Sequence, residues 1–342
     1  MLTRRSLVRL ALLAPLASTA RPVAAQAPAE AEWKKVLEAA KKEGKVVVYS
    51  GAVGSPVVPK VAAAFEAKYR IRMEVLEARA SELRERIRTE QTAGKLLGDV
   101  SYNGSTTTAL QLAEGAFQAY GALPNAARPV APFKADGTRV PIYIIQYGIL
   151  VNTDMVKPAE EPKSWKDLLN PRWKGKILSD DMRALGGGAV FFMVTVQSFG
   201  VEFQNKLAEQ QPHMNRDLRG NYPRVARGEY PVYVPFTLPD ILDLKGLPVK
   251  AIIPTEGCPY VRFDGTMLKN APHPNAARLL LDFFLSDEAQ LLYANMGFVS
   301  VVGGLEGKIA AEAQPLAQAK LLGTTDPKLQ EEMLKLAKQI YK

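Results

Sequence analysis

Thiols and imidazoles are scarce in this chain: its 342 residues include one cysteine, Cys258, and two histidines, His213 and His273. One thiol forms no internal disulfide and no thiolate zinc site. Two histidines leave little for a metal cluster or a catalytic imidazole. His213 falls in a Gln-Gln-Pro-His-Met loop, and His273 stands between two prolines where a helix opens. Cys258, between Gly257 and Pro259, has no evident base and reads as a buried, inert thiol. Gly-x-Ser-x-Gly, His-Glu-x-x-His and Gly-x-Gly-x-x-Gly are all absent, which removes the usual marks of a serine hydrolase, a zinc protease and a dinucleotide site. Also missing is an apolar run of the ~20 residues that cross a bilayer as a helix. The strongest, Phe191 to Val196, ends at Gln197 and Ser198.

What is present is a globular composition, 47% hydrophobic and 23% charged. At ~150 residues per domain, the length suggests about two domains. The formal charge of +9 points first to nucleic acid or a membrane surface. Two observations weaken that. Basic residues interleave with acids, as in Arg84-Glu-Arg-Ile-Arg88-Thr-Glu90, the pattern of a solvated helix face. Residues 1–25 moreover read as an export signal: Arg4, Arg5 and Arg9, then an apolar Leu10–Leu16, then Val23-Ala24-Ala25 before Gln26. Thr3-Arg4-Arg5-Ser6-Leu7-Val8 resembles a twin-arginine signal, with Leu7 where Phe is preferred. The four arginines of that segment account for four of the nine charges, leaving +5 on residues 26–342.

The body of the chain alternates helical and strand signals, so the expected class is α/β. Residues 45–115 read β-α-β-α-β-α, suited to a mostly parallel sheet. Ser55, Ser81 and Ser105 stand where three of these helices begin, each as an expected cap or opening residue. Arg139–Asn152 is a long extended stretch, able to pass from one domain to another, and Tyr260–Leu268 can cross back. Between them lie a strand at 176–179, a helix at 186–199, a broken helical region at 202–228 and strands at 230–234 and 249–253. Helices at 275–285 and 287–296 precede a helical C-terminal tail.

Pro162-Lys-Ser-Trp165-Lys-Asp167-Leu-Leu-Asn-Pro171-Arg-Trp173-Lys-Gly175-Lys-Ile177 resembles a segment of the extracellular solute-binding proteins of ATP-driven (ABC) importers, in the subgroup that includes ferric-iron binders. Tyr147-Gly148-Ile-Leu-Val-Asn152-Thr-Asp154, Ala271-Pro-His273-Pro-Asn275, and Phe283-Phe-Leu285-Ser286-Asp-Glu-Ala289-Gln290 fit the same family in order. The resemblance implies a two-lobed, type II periplasmic-binding-protein fold: mixed sheets flanked by helices, with two crossover strands as hinge. It implies a first lobe in 26–140, a second in 141–262, and the return with C-terminal helices in 263–342. A periplasmic, monomeric receptor is then expected, closing on a small solute and delivering it to a permease and its ATPase, with no cofactor, no chemistry and no nucleic acid.

Ligands in open α/β sheets sit beyond the carboxyl ends of strands, at helix N-termini. That rule selects Ser50, Gly51 and Ser55 after the first strand, Arg79 and Ser81 after the second, and Asn103 and Ser105 after the third. Tyr143 and Tyr147 share one face of the crossing strand, four residues apart. Arg183 and Gly187 precede the main helix of the second lobe, Tyr233 and Thr237 end its next strand, and Arg262 and Asp264 lie on the return crossing. Three arginines in this set favour an anion, a carboxylate or a phosphorylated compound. Ferric iron is the alternative solute. The iron binders' neighbouring tyrosines are missing, and Phe236-Thr237 stand about where they are expected. An exported hydrolase is the remaining alternative.

Overall fold

The computed structural model describes residues 23–217 and 220–342. Of the expected export signal, residues 1–22 lie outside the described residues, and Val23-Ala24-Ala25 begin the first helix. The first run is α1 (Val23–Glu43), β1 (Lys45–Ser50), α2 (Val57–Tyr69), β2 (Arg72–Glu77), α3 (Ala80–Ala93), β3 (Val100–Gly104) and α4 (Ser105–Ala113). β4 (Phe117–Gln118) and the long β5 (Arg139–Asn152) follow. The middle run is β6 (Ile177–Asp180), α5 (Gly187–Phe199), α6 (Val201–Glu209), β7 (His213–Asn215), α7 (Asn221–Ala226), β8 (Val232–Thr237) and β9 (Val249–Ile252). The chain then forms β10 (Cys258–Leu268), α8 (Pro274–Phe284), α9 (Asp287–Asn295), β11 (Val299–Ser300), α10 (Gln314–Ala317), β12 (Leu321–Gly323) and α11 (Gln330–Ile340).

Neighbouring strands run β2-β1-β3-β10-β5-β8-β6-β7. β1 is parallel to both β2 and β3, as the alternating β-α pattern dictates, with Val48 opposite Val75 and Val100. β10 is antiparallel to β3 and β5, and β5 is antiparallel to β8. The fold is therefore mixed α/β, in two halves sharing β5 and β10.

Burial shows why β5 crosses. Val140, Ile142 and Ile144 pack into the first core, with Val46, Val48, Phe65 and Phe283. Farther along, Ile149 and Val151 join a second core with Trp165, Ile177 and Val232, while Leu150 joins a third with Leu178, Tyr233 and Phe236. Successive residues thus enter opposite faces of the second half, as the strand period requires. β10 does the reverse: Cys258 lies in the third core, and Met267 in the first.

The segment 162–177 is a structural corner. Trp165 is fully buried and its Nε1 donates to the Gly257 carbonyl at 2.9 Å. The Trp173 Nε1 donates to the Asp167 carbonyl at 3.0 Å, and the Asp167 carboxylate accepts the Lys163 and Ser164 backbone N–H groups. These residues hold the fold rather than line a site. The end of the chain is not simply helical. β12 pairs in parallel with β10 at Cys258 and Pro259, and α11 packs on α5 and α6 of the second half.

Candidate functional site

Four helices, α2, α3, α4 and α5, begin at one cavity of about 400 Å³ between the two halves. Three of these starts differ from expectation in the same way. Ser55 does not cap α2, whose N-cap position is Pro56 and carries no side-chain cap. Ser81 lies inside α3, and the hydroxyls at the start of α4 likewise leave its N-cap, Gly104, without a side-chain acceptor. Away from the cavity, by contrast, the Ser286 hydroxyl caps α9 in the ordinary way, accepting from Ala289 N. An uncapped start presents N–H donors and the positive end of the helix dipole, roughly half a charge. Here the starts of α2 and α4 face one space, beside that of α3, where the Glu82 carboxylate accepts the Arg79 N–H at 3.3 Å.

The two walls differ in charge. From the first half come Gly51–Ser55, Arg79–Ser81, Asn103, Gly104, Thr106 and Thr107, with no acid among them. The second half brings Asp180, Asp181, Asp217 and Asp240 together with Arg216, Tyr147 and Thr237. Among the described residues, neither Arg79 nor Arg216 forms an ion pair. Val261, Phe263, Phe298, Val190 and Met193 supply the apolar lining.

Close backbone approach shapes both walls. A Cβ on Gly51 would stand 2.2 Å from the Asn103 Oδ1, and one on Gly188 would stand 2.7 Å from the Asp181 carbonyl. Neither position has room for a side chain. Gly188 N donates to Asp180 Oδ2 at 2.7 Å. Burial pushes the Asp180 carboxyl up to about 6, against the pull of the Gly188 and Asp181 N–H groups. Asp240 is buried behind it and accepts the Tyr222 hydroxyl at 2.7 Å. The Tyr147 hydroxyl is held protonated far above its ordinary range, first by burial and then by Asp180 and Asp240. The Cys258 thiol is buried and pushed up to about 12, as an inert thiol should be.

Of the residues selected from sequence, Gly51, Ser55, Arg79, Ser81, Asn103, Tyr147, Gly187 and Thr237 line this cavity. The others do not, each for a physical reason. The Ser50 hydroxyl is buried and accepts the Ala52 N–H at 3.2 Å. Ser105 is the first residue of α4, where Thr106 and Thr107 take the cavity side. Arg183 is neutralised by Asp181, with Nε and Nη2 at 2.9 and 3.2 Å from its two oxygens. Arg262 is tied likewise to the fully buried Asp264, at 2.6 and 3.0 Å. Strand alternation explains that pair: Val261 and Phe263 take the cavity side of β10, so Arg262 and Asp264 project from the other.

Tyr143 and Tyr233 lie on the correct strands but too deep. Each is four residues, roughly 13 Å of strand, from the tyrosine or threonine at the cavity. Tyr143 stacks beneath Phe263 at 5.1 Å, among Tyr102, Tyr293 and Phe298. Tyr233 is fully buried against Tyr222.

Arg216 escaped the sequence reading although it obeys the same strand-end rule. It follows β7 (His213–Asn215), a three-residue strand inside the stretch read as broken helix. Asp180 likewise ends β6, and its carboxyl enters the cavity that Gly187 was expected to serve.

Residues 106–325 match the family of bacterial extracellular solute-binding proteins. The match spans more than half of the chain, and the chain belongs to this family. An uncharacterized protein of Haemophilus influenzae is 28% identical over 275 residues, covering 77% of this chain and 79% of that one. Among solved structures, the periplasmic binding protein AfuA from Actinobacillus pleuropneumoniae, with fructose-6-phosphate bound, superposes with a TM-score of 0.69. It shares 23% identity and covers 87% of this chain and 96% of its own. Iron-bound HitA from Pseudomonas aeruginosa gives a TM-score of 0.70 at 18% identity, covering 86% of this chain and 99% of its own. The fold is thus that of the type II periplasmic binding proteins, and the protein is a binding component of the ABC-importer class. One of these neighbours holds a sugar phosphate and the other iron, so family membership leaves the solute open.

Proposed function

We propose that this protein captures a small organic anion, a carboxylate or a phosphorylated compound, in the cavity between its halves and hands it to a membrane permease. The observation that carries this reading is the pair Arg79 and Arg216. They come from opposite halves and line one cavity; neither forms an ion pair among the described residues, although Arg216 lies within electrostatic reach of Asp180 and Asp181. An arginine fork offers charge-assisted hydrogen bonds to carboxylate or phosphate, and the starts of α2 and α4 add backbone donors on the Arg79 side. The acidic end of the solute therefore lies between Arg79 and Arg216, beside the helix starts of the first half. Hydroxyl or ammonium groups on its body face the acids of the second half. A cavity of about 400 Å³ suits a metabolite-sized ligand.

Contacts from both halves stabilise the closed form over the open one, so β5 and β10 act as the hinge between lobes 26–140 and 141–262, with 263–342 returning to complete the molecule. Export by the arginine-rich signal, with cleavage near Ala25-Gln26, delivers a monomer to the periplasm. The mass of the exported chain tests the cleavage.

The functional test is a thermal-shift screen of organic acids, phosphorylated metabolites and Fe(III). A bound solute raises the melting temperature through its preference for the native state, and intact recovery of the hit separates a receptor from a hydrolase. Stabilisation by Fe(III) alone, with none by any organic anion, rejects this reading in favour of iron transport.

A further inference from the structure

The sheet that floors the cavity carries a signal separate from its charges. Along β5 every residue from Val140 to Asn152 is buried except Ile145, whose side chain is left partly open, and Ile145 lines the cavity. Its partner across the ladder is Val261 of β10, and Phe263 follows two residues on. Side chains two apart on a strand, and partners directly opposite each other, share one face of the sheet. Ile145, Val261 and Phe263 therefore make one apolar surface at the centre of the sheet, and all three line the cavity. Val190 of α5 joins the same apolar cluster from the second half and lines the cavity too.

This surface adjoins the anion grip. Gly104 is the N-cap of α4, and a Cβ there would stand 3.2 Å from Val261 Cγ2 and 3.9 Å from Phe263 Cε2. Backbone N–H donors and hydrocarbon thus lie side by side. Strand alternation keeps polar groups out of the surface. Arg262 and Asp264 on β10 and Gln146 on β5 take the opposite face, where Arg262 binds Asp264 and the Gln146 amide donates to the Gly297 and Leu316 carbonyls. A solute hydroxyl laid on this surface gives up water and gains no partner, whereas a hydrocarbon group gains by leaving water. We infer that Ile145, Val261 and Phe263 form a specificity-determining bed that selects anions with a hydrocarbon body, a ring or a branched chain, over polyhydroxylated anions. This rests on the anion reading above and narrows its solute class. Donors at the edge of such a body still reach the acids of the second half.

The test titrates wild type, Ile145→Thr, Val261→Thr and Arg79→Ala calorimetrically with two matched pairs: phenyl phosphate against fructose 6-phosphate, and 3-phenylpropanoate against gluconate. In at least one pair the hydrocarbon member should bind the wild type about tenfold or more tightly than its hydroxylated partner, with a negative heat-capacity change. Along methyl, ethyl, propyl and butyl phosphate, affinity should rise about two- to fourfold per carbon. Each threonine variant puts a hydroxyl into the bed and should weaken the hydrocarbon member about fivefold or more, leaving the hydroxylated member unchanged, while Arg79→Ala weakens both. Ligand-free melting temperatures check the fold; should Val261→Thr melt far below the wild type, Ile145→Thr, at the partly open position, decides alone. Hydroxylated members that bind as tightly as the hydrocarbon ones, and that need Arg79, overturn this inference and leave the anion reading intact. So does tight binding of a hydrocarbon member that the threonine substitution does not weaken. Failure of all these anions to bind the wild type rejects the inference, and stabilisation by Fe(III) alone in the thermal-shift screen rejects the reading beneath it as well.

Discussion

Asp180 accepts the Gly188 backbone N–H at 2.7 Å, so a buried acid takes the capping role at the start of α5. Burial outweighs that hydrogen bond and sets the carboxyl near 6, well above the ordinary 3.8. The folded protein therefore keeps a proton that the unfolded chain has released between about pH 4 and 6. More protons bound in the native state means that stability falls as pH rises through that window and stays lower above it. The gap corresponds to about 3 kcal/mol at most. Asp180→Asn keeps an acceptor for Gly188 without the charge. Urea unfolding of ligand-free protein from pH 4 to 7 should give the wild type the steeper decline and this variant a flatter one. Parallel profiles would remove Asp180 from the account.

Asp99 carries a second buried network, far from the cavity. Its Oδ1 accepts the His273 N–H at 2.6 Å, and its Oδ2 accepts the Val47 N–H at 2.7 Å and lies 2.8 Å from the His273 Nδ1. It ties β1 to the start of α8. Asp99→Ala strands these buried donors, at a cost of about 2–4 kcal/mol. Denaturant midpoints should fall accordingly, while solute affinity measured well below the new transition should stay within twofold.

Gly51→Ala places a methyl group where Asn103 Oδ1 now sits, 2.2 Å from the new carbon. Asn103 also donates to Ser101 Oγ at 2.8 Å, so it cannot yield freely. The cavity wall must move. Solute affinity should drop at least tenfold, with a melting temperature a few degrees lower. Unchanged affinity would show that this wall does not touch the solute.

Much of this architecture is legible in the sequence. β5 runs over Arg139–Asn152, the stretch whose long extended character already suggested a crossing. β1, β2 and β3 follow from short apolar runs separated by helical periodicity. The site is less legible, because the strand-end rule finds positions and not partners. Arg183 and Arg262 stand in suitable places, yet each has a carboxylate two residues away that takes its charge. Arg216 follows a strand of three residues, too short to carry a periodic signal.

The arginines give the sharpest contrast. Arg183→Ala removes a guanidinium already bound to Asp181, which frees one more acid near the cavity, so affinity for an anion should fall by no more than about threefold. A tenfold loss in that variant would mean that Arg183 leaves Asp181 for the solute.

The central claim is that an organic anion is gripped from both halves, by Arg79 on one and Arg216 on the other. The most direct measurement is calorimetric titration of the best anion from the thermal-shift screen into wild type, Arg79→Ala and Arg216→Ala, each first checked for an unchanged fold by circular dichroism. The account predicts that each substitution alone weakens binding more than tenfold, and that rising salt weakens the wild type more than either variant. Affinity unchanged in both variants would contradict it.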